Sequence, residues 1–93
     1  MRVLGKRQAV VVESLLIAYE RRGVVEHPVG SVDPGVLRTL VARKIAGRHD
    51  DPKTGAPMFH LRVEAAKDAF VQYAGRPYAA FLQMLDTLGR RGA

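Results

Sequence analysis

Cysteine is absent from this 93-residue chain, which excludes disulfide bridges, thiolate-ligated zinc or iron–sulfur centres, and thiol nucleophiles. Tryptophan is absent too, and aromatic residues make up only 6% of the chain. Platforms that stack single-stranded bases need more of them, so RNA or single-strand binding is disfavoured. No apolar run approaches the ~20 residues of a membrane-spanning helix; the longest, residues 9–18, is interrupted by Glu13 and Ser14. Arg2, Lys6 and Arg7 ahead of it imitate the start of a signal peptide. Glu13 lies inside the apolar part, however, and Tyr19-Glu20-Arg21-Arg22 offers no small-residue cleavage site. A cytoplasmic chain with no membrane partner is expected.

The residue patterns of catalysis are also missing. Ser14 and Ser31 lack a nucleophile-elbow context, no glycine-rich phosphate loop occurs, and His27, before Pro28 in a loop, has no identifiable carboxylate or nucleophile partner. His49, Asp50, Asp51 and His60 can be drawn as a metal cluster, yet their spacing matches no helical or strand metal motif. The expectation is a protein that is not an enzyme and carries no metal or cofactor.

What the chain has in surplus is positive charge: 15 Lys+Arg against 9 Asp+Glu, a formal +6 and a pI of about 10.3. A field of that sign attracts nucleic acid or anionic lipid and releases counterions. The charge is unevenly placed. Residues 37–62 hold six bases (Arg38, Arg43, Lys44, Arg48, Lys53, Arg62) against Asp50 and Asp51, whereas residues 63–89 hold Lys67 and Arg76 against Glu64, Asp68 and Asp86. With 47% apolar and 26% charged residues the composition is that of a globular domain, and the length suffices for one core.

Apolar periodicity orders the elements. Residues 6–22 read as a helix, with Val11, Val12, Leu15, Leu16 and Tyr19 at three- and four-residue spacings and Gly23 after a basic last turn. Residues 24–32 carry no helical period and read as a short extended segment plus loop. Asp33-Pro34-Gly35 then starts a second helix, because aspartate caps free amides and proline at the first position gives up no hydrogen bond. Its apolar stripe is Leu37, Leu40, Val41 and Lys44, with Val36 beside it; its other face is Gly35, Arg38, Thr39 and Ala42, flanked by Arg43. Residues 45–63 read as a β-hairpin. Asp51-Pro52 and Thr54-Gly55 form the turn, and Phe59, Leu61 and Val63 alternate with Met58, His60 and Arg62. Residues 64–74 resume a helical period. A last helix starts at Pro77 with Tyr78, Phe81, Leu82, Leu85 and Leu88 on one face.

Helix, loop, short helix with a basic outer face, polar-tipped hairpin, then helices: this order resembles a winged helix-turn-helix domain. The likeness is sharpest over residues 37–70. There Leu40-Val41-Ala42-Arg43-Lys44-Ile45-Ala46-Gly47-Arg48, Asp51-Pro52-Lys53-Thr54-Gly55, Phe59-His60-Leu61-Arg62 and Glu64-Ala65-Ala66-Lys67-Asp68-Ala69-Phe70 are similar to the recognition-helix end, wing and following helix of MarR-like and PadR-like transcriptional regulators. Lys44 stands where those families usually have glycine, Arg62-Val63 replaces the usual threonine and Ala66 the usual glycine. The resemblance implies an α+β, mostly helical fold with a two-stranded wing. Residues 1–75 would be the winged helix-turn-helix domain and residues 76–93 a C-terminal helix suited to dimerisation.

It further implies sequence-specific binding of double-stranded DNA by a small, nucleoid-associated regulator. Arg38 and Thr39 would read base edges from the helix after Pro34; Arg43 and Lys44 would hold phosphates. Arg48, His49 and Lys53 would reach backbone or minor groove from the wing, and Lys6 and Arg7 would add phosphate contacts. A homodimer through Tyr78, Phe81, Leu82, Leu85 and Leu88 would match a two-fold operator. Each feature also has a plainer reading: solvated arginines, an ordinary exposed hairpin tip, a core-packing stripe. A protein-interaction adaptor on the same scaffold is the alternative, since a fold does not fix a function.

Overall fold

The first helix, α1 (Lys6–Arg22), turns Ala9, Val12, Leu15, Leu16 and Ala18 to one buried side. It stops at Gly23, whose φ of 65° few side chains tolerate. The computed structural model describes residues 3–91. After α1 come β1 (Glu26–Pro28), a single 3₁₀ turn (Val29–Ser31), α2 (Pro34–Ala42), β2 (Ala46–Asp50), β3 (Pro57–Leu61), α3 (Val63–Ala74) and α4 (Tyr78–Arg91). The architecture is therefore α+β, four helices with one antiparallel sheet. Among the described residues no helix is long and apolar enough to cross a membrane.

The sheet departs from the sequence expectation. A two-stranded hairpin is expected over residues 45–63. The hairpin is there, but the sheet has three strands in the order β1-β3-β2. Glu26 pairs with His60, His27 with Phe59 and Pro28 with Met58. Three residues are too few to show alternation, and the partner strand lies some thirty positions away, so nothing local marks β1. Pro28, which has no N–H to donate, is compatible with an edge strand.

Between β2 and β3 the backbone turn is closed by Asp51 N–H to Ala56 O (2.8 Å) and Gly55 N–H to Asp51 O (2.7 Å). The Asp51 carboxylate accepts from Lys53 N–H at 2.8 Å, and Gly55 supplies a positive φ of 72°. Asp51 and Gly55 thus perform the turn chemistry that their types imply.

One apolar cluster joins all layers. Val12 and Leu16 of α1, Leu37 and Leu40 of α2 and Phe59 of β3 are almost wholly buried, with Ile45, Ala46, Leu61, Ala66 and Phe70 around them. Phe81 and Leu85 dock α4 on that cluster; the Phe81 ring meets Phe70 edge-on with centroids 5.1 Å apart. A polar clasp adds to the docking. The Tyr78 hydroxyl donates to Glu20 Oε2 at 2.7 Å, and the Lys67 ammonium lies 4.9 Å from the Tyr78 ring centre. Burial and the Glu20 carboxylate both push the Tyr78 phenol well above its ordinary range, burial most.

Candidate nucleic-acid interface

Asp33 organises the start of α2. One carboxylate oxygen accepts from Gly35 N–H at 2.8 Å and Val36 N–H at 3.1 Å, the capping that the residue type predicts. The other oxygen meets Arg7 at 3.5 Å, so the first turns of α1 and α2 lie side by side. Both partners are exposed, and the pair adds little to stability. Lys6 is exposed at the first position of α1, where the helix has no acidic residue to offset its dipole.

Along the outer side of α2, Gly35, Arg38 and Ala42 are exposed. Thr39 is half-buried, and its hydroxyl donates back to Gly35 O at 3.1 Å. What this side offers a partner is one long cation, Arg38, on a low surface of small residues. Arg43 leaves the stripe. Half-buried, it donates to Val3 O at 3.4 Å and borders a shallow recess with Ile45, Asp68 and Gln72, toward the N-terminal segment and α3.

Lys44 carries the positive φ, 60°, of the helix exit. Its N–H bonds Val41 O at 3.0 Å while Ile45 N–H bonds Leu40 O at 2.9 Å. That pair of bonds, with buried Leu40 and Ile45 in the same core cluster, is a Schellman exit. The unusual lysine at this position occupies a backbone conformation suited to glycine.

The strand register separates the wing residues. Ala46, Arg48 and Asp50 share one face of β2 and Gly47 and His49 the other. Because Ala46 is core, exposed Arg48 lies on the helix side of the sheet, whereas His49 lies on its outer face. Lys53 is exposed at the tip.

On that outer face His49 Nδ1 stands 3.0 Å from His60 Nδ1, and His49 Nε2 stands 3.1 Å from Glu26 Oε1. The contact is diagonal: His60 is opposite Gly47, and His49 opposite Met58. Gly47 makes room for it, since a Cβ there would overlap the His60 ring, 2.5 Å from its Nε2, far inside van der Waals contact. With ring centroids 5.1 Å apart and the nitrogens 3.0 Å apart, each ring points almost directly at the other's nitrogen. Among the described residues no three such groups converge as metal ligands. On the opposite face His27 stacks on Phe59 at 5.3 Å, and its Nε2 is buried with no hydrogen-bond partner among the described residues. Burial, and next the Arg22 charge, hold its pKa below the ordinary 6.5.

The stripe expected to form a dimer is divided. Phe81 and Leu85 are buried in the chain's own core and Tyr78 is half-buried, while Leu82 and Leu88 are exposed, together with Tyr73 and Met84. Sequence reasoning did not find the Glu26–His49–His60 group. Alternation turns His60 outward, but only the register of three strands brings the two rings together. Comparison with protein-family profiles, curated proteins and solved structures found no match to this chain.

Proposed function

We propose that this protein is a winged-helix domain that binds double-stranded DNA sequence-specifically, as a small transcriptional regulator. The observation that supports this reading is a joint placement: α2 precedes a β2–β3 hairpin in a sheet of order β1-β3-β2, its outer side carries Arg38 among small residues, and Asp33 ties its start to Arg7. A helix with such a side can approach base edges closely. In this reading Arg38 contacts guanine, Thr39 offers its methyl or its hydroxyl oxygen, and Lys6, Arg7, Lys44, Arg48 and Lys53 hold phosphates. Arg43 serves the domain's own packing first. Two copies pair through exposed Leu82 and Leu88, with Met84 beside them.

The test is fluorescence anisotropy with a labelled duplex of scrambled sequence. About five phosphate contacts per protomer give a slope near −4.5 in log K against log salt, so affinity falls roughly 500-fold between ~50 and ~200 mM. No binding at the lowest salt would overturn the proposal. A protein-interaction adaptor is the second reading, favoured by the apolar residues Tyr73, Leu82, Met84 and Leu88 left exposed. It predicts a complex with a protein and no affinity for duplex.

A further inference from the structure

We infer that Glu26, His49 and His60 form a proton-operated clasp across the three-stranded sheet, closed at neutral pH and opened by acid. The three residues belong to three strands. Glu26 of β1 reaches across β3 to His49 of β2, and His49 in turn meets His60 of β3.

The hydrogens in this chain are fixed by what each group can do. An ionised carboxylate only accepts, so His49 donates Nε2–H to Glu26. A neutral His49 then has Nδ1 as an acceptor, and His60 must donate its Nδ1–H to it, leaving His60 Nε2 bare above Gly47. This arrangement tolerates one added proton. Placed on His60 Nε2, it leaves the Nδ1 bond in place as a charge-assisted one and sets a cation near Glu26. It does not tolerate a second. A proton on His49 Nδ1 puts two N–H groups and two positive rings face to face at 3.0 Å, and the rings must part.

Other charges face the group. Asp51 and Lys53 of the hairpin turn border the same recess as Glu26 and His49. Arg62, exposed, follows the end of β3 as the N-cap of α3. On β1 the neighbouring His27, with Arg22, occupies the opposite face. None of these groups can replace the Nδ1–Nδ1 bond.

Nitrogen-15 NMR of the histidine rings and hydrogen exchange of the full chain test the clasp. At pH 7.5 His60 is expected as the Nδ1–H tautomer and His49 as the Nε2–H tautomer. Acid that places the second proton on His49 Nδ1 should part the two rings. Protection of the Gly47, His49, Met58 and His60 amides should then fall at least about fivefold relative to Leu15 and Leu16 of α1, the scale of one lost hydrogen bond. Referring the loss to α1 removes any global effect of His27. Two variants isolate the pair. His60→Asn keeps an amide that can donate or accept, and should abolish the acid-linked loss. Gly47→Ala pushes the His60 ring aside and should return His60 to the Nε2–H tautomer while both histidines remain. An Nε2–H tautomer for His60 in the unsubstituted protein would overturn the inference. So would hairpin protection that follows α1 at every pH.

Discussion

Replacing Lys44 by glycine should stabilise this protein. Lys44 sits at φ 60° immediately after the C-cap of α2, where a Cβ costs about 1–2 kcal/mol. Glycine removes that cost but makes the unfolded chain freer, giving back about 0.4–1 kcal/mol. The expected net gain is about 1 kcal/mol. The lysine is exposed, so little packing is lost. Charge is controlled by Lys44→Ala, which removes the same ammonium but keeps the Cβ and the strain. In urea, with a slope near 1 kcal/mol/M for a chain of this size, Lys44→Gly should move the midpoint up by about 1 M relative to Lys44→Ala. In thermal melts the gap should be about 4–8 °C. Equal midpoints, or a less stable glycine variant, would refute the assignment of strain to this position. Both variants should lose the same one phosphate contact in duplex binding, which keeps the stability effect separate from the proposed function.

Other outcomes follow from the same contacts. Asp33→Ala removes the cap on Gly35 and Val36 and should cost about 1 kcal/mol in urea unfolding; Asp33→Asn or Asp33→Ser should recover most of it. Phe59→Ala opens a cavity in the middle of the core and should cost about 3–5 kcal/mol, lowering the melting temperature by well over 10 °C. Burial, and next the Arg22 charge, lower the pKa of His27, so the unfolded chain takes up a proton more readily than the folded one. Its contribution to stability is full above the ordinary value of 6.5 and is lost as the pH falls from there through the lowered folded value. Melting temperatures at pH 8 and pH 5.5 should therefore differ less in His27→Phe than in the unsubstituted protein. For DNA, Arg38→Ala should cost about 1–3 kcal/mol on a selected site and relax its specificity, whereas Lys53→Ala should weaken all duplexes alike. Equal behaviour of the two variants across sequences would count against the division of roles.

How far the fold was legible depended on whether its cause was local. The helices were readable because burial follows a three-to-four residue period within one segment, and the start of α2 because Asp33 and Pro34 act within one turn. The hairpin was readable from Asp51 and Gly55. By contrast, β1 exists through pairing with a strand far along the chain. The same holds for the side chains. Periodicity put Phe81, Leu82, Leu85 and Leu88 on one helix face, but it does not say how much of that face the neighbouring helices cover; Phe81 and Leu85 are core and the other two are not. Arg43 read as one more surface cation of α2 and instead turns toward Val3. The His49–His60 contact needed the strand register, which no spacing of the two residues encodes.

The close approach of the His60 ring to Gly47 makes the two positions a single unit of variation. With histidine at 60, alanine at 47 collides with the ring; with a short residue at 60, the three ring atoms nearest that alanine are gone. Gly47→Ala and His60→Ser should thus be sharply non-additive, the double variant behaving better than the sum of the singles. A lineage of this chain could not exchange the glycine first without passing through a disturbed sheet. Loss of the histidine would have to come before it, so the order of substitution is written into the geometry of one strand pair.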